Sequence, residues 1–324
     1  MPQPTLQDSH LDAILTNISV AYFQDESRFI AERVFPTIPV DKKSDKFYKY
    51  GKNDWFRDEA QRRADATESA GSGYTLGTDN YSCDVWAFHK DVGNQTVANT
   101  DAPLNPYSDA AKFVAGRLLL RREIQFVSDY FATGIWGTDM TGVAAAPGAN
   151  QFVKWSDYTN SDPIEDVEDG KEKVLSTTGF EPNTLVLGYR VFRRLKHHPV
   201  LRELIKYTSS ENITTALLSR IFEVDRVLVA SAVKATNVEG APEGYDFVYP
   251  DSALLAYVTP TPGLYTPTAG YNFAWTGVSS GLGLPVGTSQ IDMPLHKAKR
   301  IESEIAFDHK VVGADLGYFF ASAV

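Results

Sequence analysis

The sequence predicts an α+β protein in which extended pieces hang from a compact α/β unit. Three observations carry this. The first is a stretch, residues 57–73, with no Val, Ile, Leu, Met or aromatic residue, set between aromatic-rich flanks. The second is one long helical pattern from Asn105 to Gly134. The third is an alternation of helices and short apolar strands from Asp162 onward, the mark of a small α/β layer structure.

Residues 1–45 read as an N-terminal arm. "SHLDAILTNISVAYF" and "DESRFIAERV" each suit a short helix, and "FPTIPV" is extended because Pro36 and Pro39 push their predecessors out of the α region. The arm has no way to close a core alone. Phe23, Phe29 and Phe35 are its candidate contact residues.

Residues 46–92 read as an extended β-hairpin. "KFYKY" and "YSCDVWAFHKDV" bring β-prone aromatics in partial alternation. At about 3.3 Å per residue each arm reaches roughly 30 Å. A lone ribbon is marginal in water, so this one must rest on another surface. Its tip carries Arg57, Arg62 and Arg63 against Asp58, Glu59, Asp65 and Glu68, then Gly71 and Gly73. Long structureless loops are usually functional or disordered, and a charge-balanced tip fits a polar protein contact.

Next, Asn105 caps and Pro106 opens a helix expected over 106–133, closed by Gly134. Ala110, Phe113, Leu120, Ile124, Val127 and Phe131 form its expected apolar stripe, interrupted by Arg117. It spans about 40 Å. "GTDMTGVAAAPGANQFVKWSDYTNSDP" reads as a loop. Asp162, Pro163 and Glu165 start a helix that runs to Thr178 and stops at Gly179. "PNTLVLG", "VDRVLVASAV" and "ALLAYV" read as strands. "YRVFRRLKHHPVLRELIKYT" gives two helices split before Pro199, and "ITTALLSRIF" another. A Pro/Gly-rich loop around the strand "GYNFAW" follows, and the tail from Ile301 alternates as β structure.

Composition narrows the function. The chain has 324 residues, long enough for one large or two ordinary domains, and 43% are hydrophobic, enough for a sizeable core. A net charge of -10 argues against a general nucleic-acid binder. The lone Cys83 excludes an intrachain disulfide and reads as a small buried strand residue. No basic-then-apolar leader opens the sequence, and no apolar run approaches a membrane span. The Asn-x-Ser/Thr matches at Asn17, Asn94 and Asn212 therefore carry little meaning.

Catalytic and metal motifs are weak. "GVSSG" places Ser279 at a G-x-S-x-G nucleophile, with Asp292 and His296 following in order. That motif needs a helix after the serine, and "GLGLPVG" cannot supply one. His197 and His198 point about 100° apart on a helix, at an end where cations suit the dipole. Asp308 and His309 face opposite sides of a strand. The acidic "EDVEDG" from Glu165 lacks calcium-loop spacing. No cofactor is expected.

The order of parts resembles the major capsid proteins of tailed bacteriophages, the Hong Kong 97-type fold shared with herpesvirus shells and encapsulins. The phrases that carry it are "DWFRDEA" with "TESAGSGYT", "LLLRREI", "GIWGTD", "KWSDYTNSDPIED", "PNTLVLGYRVF", "GYNFAWTG" and "AFDHKVVGADLGYFF", together spanning nearly the whole chain. The resemblance implies an arm (1–45), an extended hairpin or E-loop (46–92), a peripheral domain with a spine helix (93–160), an axial domain (161–288) and returning peripheral strands (289–324). It implies a structural role, not an enzyme: hexamers and pentamers in an icosahedral shell around double-stranded DNA, in the virion, assembled in the host cytoplasm. The tip residues Arg57, Asp58, Glu59, Arg62, Arg63, Asp65 and Glu68 would then lie on a neighbouring subunit. Expected partners are the chain itself, a portal, a decoration protein and a scaffolding protein. The last is expected as a separate chain, because the arm begins almost at Met1. Lys42, Lys43, Lys46, Lys49 and Lys52 lie near the hairpin, but none is marked as a cross-linking residue. An encapsulin-like compartment and a soluble hydrolase using Ser279 are the alternatives.

Overall fold

A computed structural model describes residues 24–101, 104–205, 213–263, 265–277 and 287–324. Two sheets and one long helix organise it. The six-stranded sheet runs in the order Gln151–Val153, Thr138–Val143, Gly317–Ala321, Ala253–Ala256, Thr184–Gly188, Arg226–Ala230. Three of its four inner strands, Gly317–Ala321, Ala253–Ala256 and Thr184–Gly188, are buried along their whole length. Alternation then sorts side chains between two cores. Val186, Leu254 and Phe319 face one; Leu185, Leu187, Leu255 and Phe320 face the other.

The second core is roofed by helices. Pro163–Thr178 starts where the Asp162 carboxylate accepts from the Ile164 and Glu165 amides. It ends where Gly179 takes φ 76°, a left-handed turn that suits glycine. Tyr189–His197, Pro199–Ile205 and Thr215–Ile221 complete the roof through Val191, Leu195, Leu201 and Leu218. These boundaries match the sequence expectation closely, because caps and prolines are local signals.

The five-stranded sheet is built around one long strand, Ala298–Val311. Asp84–Gly93 runs along one edge of it. Gly287–Met293 and then Gly270–Trp275 lie along the other, and Thr37–Val40 adds in parallel to Gly270–Trp275. The long helix Pro106–Tyr130 lies on this sheet through Ala110, Leu118, Ile301, Ile305 and Phe307. Its far end reaches the first core of the other sheet through Phe126 and Tyr130.

Several expectations are corrected. The long helix ends at Tyr130, not at 133. The Trp136 indole N–H donates to the Tyr130 carbonyl at 2.7 Å, satisfying an end group that another turn would have used. Gly317 makes room for that indole: a Cβ there would sit 2.1 Å from the Trp136 ring. The fully buried positions of the helix are Ala110, Val114, Leu118, Arg122, Glu123, Phe126 and Tyr130. Of the expected stripe Ala110 is among them, and Phe131, just past the helix end, is buried too; Leu120, Ile124 and Val127 are half-buried against the first core, and Phe113 is half-buried. The expected stripe was incomplete because two charged residues also belong to the buried face.

The hairpin is shorter than 46–92. Ser44–Tyr50 pairs with Leu76–Ser82, whereas Asp84–Gly93 turns away into the five-stranded sheet. The stretch after Gly137 is not all loop, since Thr138–Val143 and Gln151–Val153 are strands. The tail does not return as one piece: Ala298–Val311 and Gly317–Ala321 lie in different sheets. "DESRFIAERV" forms a single 3-10 turn, Glu26–Arg28, and a short helix, Ala31–Val34, rather than one helix. The helix expected over "SHLDAILTNISVAYF" falls outside the described residues, and so does Phe23.

Candidate functional site

The hairpin has a neck and a tip. At the neck the Asp54 carboxylate accepts from the Thr75 amide at 2.7 Å and from its hydroxyl at 2.5 Å. These donors hold the Asp54 carboxyl below its ordinary value. Next to this pair, Tyr50, Trp55, Tyr74 and Tyr265 form an aromatic cluster with ring centroids 5.1–6.2 Å apart. Lys52 pairs with Asp315, and the Phe56 ring lies against the turn at Gly179. The neck therefore rests on the body of its own subunit.

The tip does not. Residues 57–73 are exposed throughout, and none joins a sheet. Arg57 and Glu59 approach at 3.7 Å, and the Arg63 side chain donates to the Thr67 carbonyl. Among the described residues Asp58, Arg62, Asp65 and Glu68 make no ion pair. The structure thus brings together one of the expected charge pairs and leaves the others open. Beside them stand large apolar side chains: Trp55 is 58% exposed, Phe56 61% and Tyr74 62%. The sequence marks these aromatics only as flanks of the apolar-free stretch, not as exposed surface. Their signal was position, immediately flanking an apolar-free segment.

The arm contacts differ in kind. Phe29 is half-buried, and Phe35 is a core residue of its own subunit, with its ring 4.7 Å from Tyr130 and within 6.2 Å of Phe126 and Trp136. The short helix Ala31–Val34 is gripped at both ends. The buried Glu123 carboxylate accepts from the Ile30 and Ala31 amides at 2.8 and 3.0 Å and from the Tyr249 hydroxyl at 2.8 Å. At the other end the Arg226 guanidinium donates to the Arg33 and Val34 carbonyls. Both charges sit where the helix's unpaired end groups and dipole favour them. Burial pushes the Glu123 carboxyl above its ordinary value, against the pull of these donors. Arg122, beside it, pairs with Glu32, and burial lowers its pKa to about 10.

Asn272 ties the same segment to the five-stranded sheet. Its amide donates to the Ala31 and Phe35 carbonyls, and its oxygen faces His309 Nδ1 at 2.8 Å. Burial, helped by nearby Arg122, lowers the His309 pKa to about 3. The ring is neutral, with its proton on Nδ1, where it can donate to the Asn272 oxygen.

Among the described residues the chemical motifs do not assemble. Ser279 lies outside the described residues, and Asp292 faces Lys299 at 3.4 Å. His198 is buried against the Ser161 hydroxyl at 3.0 Å, and burial lowers its pKa. It is therefore not a dipole-capping cation, as the sequence reading had it, while His197 is exposed. Asp308 accepts from the Ser82 amide, on the opposite side of the strand from His309. Cys83 is buried, and burial raises its thiol pKa to about 12. No group of three or more metal-binding side chains occurs among the described residues. Among them, too, no helix is long and apolar enough to cross a membrane.

Comparison with known proteins supplies what the geometry lacks. No family model matches. The chain is 27% identical over 318 residues to the major capsid protein of Burkholderia phage BcepMu, covering 96% of each. It is 24% identical over 335 residues to that of Pseudomonas phage JBD67, covering 97% of each. Among solved structures, a phage-related protein from Bordetella bronchiseptica superposes with a TM-score of 0.66 at 24% identity, over 93% of this chain and 94% of that one. The capsid of cyanophage P-SCSP1u gives 0.61 at 10% identity, over 97% and 93%. With a long helix across one sheet, a second sheet under helices and a projecting hairpin, the chain has the Hong Kong 97-type fold of phage capsids and is similar over nearly its full length to phage major capsid proteins.

Proposed function

We propose that this chain is a phage major capsid protein that assembles into hexamers and pentamers closing an icosahedral shell around double-stranded DNA, with the hairpin tip lying on a neighbouring copy. The observation that supports this is the tip itself. Residues 57–73 contribute nothing to their own core, yet keep opposite charges beside exposed aromatics. Charges so placed set register between subunits more than raw affinity. The proposed parts are an arm, a hairpin, a peripheral part and an axial part. Phe29 and Phe35 hold the arm to its own subunit, while Arg57, Asp58, Glu59, Arg62, Arg63, Asp65 and Glu68 meet the neighbour.

The role is structural, and no catalytic activity is proposed. Full-length similarity to phage capsid proteins favours a virion over an enzyme-filled compartment. Scaffolding, portal and decoration proteins are proposed as separate partners. The net charge of -10 suits an inner wall to which packaged DNA adheres weakly. The test is electron microscopy and sedimentation of the purified, concentrated protein, with salt and a scaffolding protein varied. Rings or closed particles are expected. A compact monomer under every condition contradicts the proposal.

A further inference from the structure

Helix Tyr189–His197 is strongly basic in an acidic protein. It carries Arg190, Arg193, Arg194, Lys196 and His197 and no acid. Arg190 is used within the subunit, by Asp246 and Asp251. Arg193 and Lys196 form no ion pair among the described residues. The dipole explains a preference for cations in the last turn, but not their lack of partners.

Helix Pro163–Thr178 has the opposite character. Val167, Gly170, Lys171 and Val174 turn inward, so Glu165, Glu168, Asp169 and Glu172 fall on one exposed stripe. None of these four makes an ion pair among the described residues either.

Where the two faces lie decides what they can do. Asp169 and Glu172 border a cleft of about 320 Å³ with Thr138, Met140 and Asn150, beside the first two strands of the six-stranded sheet. The basic helix packs on the last two, Thr184–Gly188 and Arg226–Ala230. The acidic helix itself packs on the two central strands, Gly317–Ala321 and Ala253–Ala256, so Asp169 and Glu172 lie toward one edge of the sheet and the basic helix lies toward the other. Two complementary, non-identical faces set toward different edges of one sheet suit a head-to-tail contact, and such contacts make rings when the rotation between copies closes.

We propose that the basic face of Tyr189–His197 in one copy docks on the acidic face of Pro163–Thr178 in the next, around each ring of the shell. This rests on the shell reading above. It assigns the second copy of this chain, not nucleic acid, as the occupant of the basic face.

The test uses the full chain and charge reversal. Arg193→Glu with Lys196→Glu, or Asp169→Lys with Glu172→Lys, places like charges opposite each other, and each pair should cut particle yield by about tenfold. All four changes in one chain restore complementary signs and should return the yield to within about twofold of wild type. Thermal melts show that each variant folds. If a reversed variant does not fold, Arg193→Cys with Asp169→Cys replaces it. Oxidation of assembled particles should then give disulfide-linked ladders that free subunits do not give.

Wild-type assembly with full yield from both reversed variants overturns the contact and leaves the shell reading intact. So does failure of the fourfold variant to recover, or absence of ladders. If Arg193→Glu with Lys196→Glu assembles normally but loses binding of a 30-base-pair duplex DNA probe seen in the wild type, the face belongs to nucleic acid and the proposal fails. Failure of the wild type itself to assemble overturns the shell reading and the contact with it.

Discussion

At the arm junction Glu123, Arg122 and Arg226 lie within the subunit, and each has a partner reached from another part of the chain. At the hairpin tip Asp58, Arg62, Asp65 and Glu68 stand in solvent with no ion pair among the described residues. Both regions are charged, and both join an extended piece to something larger. Burial separates them. A buried carboxylate must be satisfied where it sits, because an unpaired one costs several kcal/mol. An exposed one costs little, and stays available to another molecule. Charge in the junction defines the subunit; charge in the tip, on the proposal above, is kept for the neighbour.

The comparison breaks first at Glu123. Glu123→Ala leaves the Ile30 and Ala31 amides and the Tyr249 hydroxyl unpaired, beside a buried Arg122. A loss of about 3–5 kcal/mol in chemical denaturation is expected. A loss below about 1 kcal/mol would place this junction with the tip rather than the core. Phe35→Ala follows, at about 3–4 kcal/mol for a large side chain only 1% exposed. An unmoved unfolding midpoint would instead make Phe35 a contact between subunits.

A smaller effect is set by pH. Burial raises the Asp166 carboxyl to about 6, against the pull of the Trp155 indole N–H at 2.7 Å, and burial also raises Asp129 to about 6. A carboxyl whose folded pKa is raised binds more protons folded than unfolded. Its contribution to stability is therefore fully present below the unfolded pKa and is lost as pH rises through about 6. Denaturation between pH 4 and 7 should show this fall. Asp166→Asn should flatten it by about 1 kcal/mol, after discounting for solvent screening. An unchanged slope in that variant would show that Asp166 titrates normally. The smallest effect belongs to the tip: Arg62→Glu with Arg63→Glu should leave the subunit's melting midpoint where it was, while lowering particle yield.

What the sequence revealed follows the same division. Helix Pro163–Thr178 was legible to the residue, because Asp162, Pro163 and Gly179 act on their own neighbours. Strands Thr184–Gly188 and Ala253–Ala256 were legible as apolar runs. The buried charges of the long helix were not. Arg122 and Glu123 carry no local signal of burial, since the groups that satisfy them come from Glu32, Ile30 and Tyr249, far away in the chain. The end of that helix depended on Trp136, whose indole role has no local signature. Strand partners were hidden for the same reason: nothing near Asp84 announces a register with Phe307. At the tip the difficulty was different. The residues were legible, but the partner proposed for them is another copy.

The most direct test of this division replaces residues 57–73 with a short Gly-Ser turn. Circular dichroism and thermal melts would be recorded beside particle counts from electron micrographs. The subunit should melt cooperatively at its wild-type midpoint, since the two cores and the arm junction are untouched, and closed particles should be absent. Normal particles from this variant would contradict the account, and so would a subunit that no longer folds.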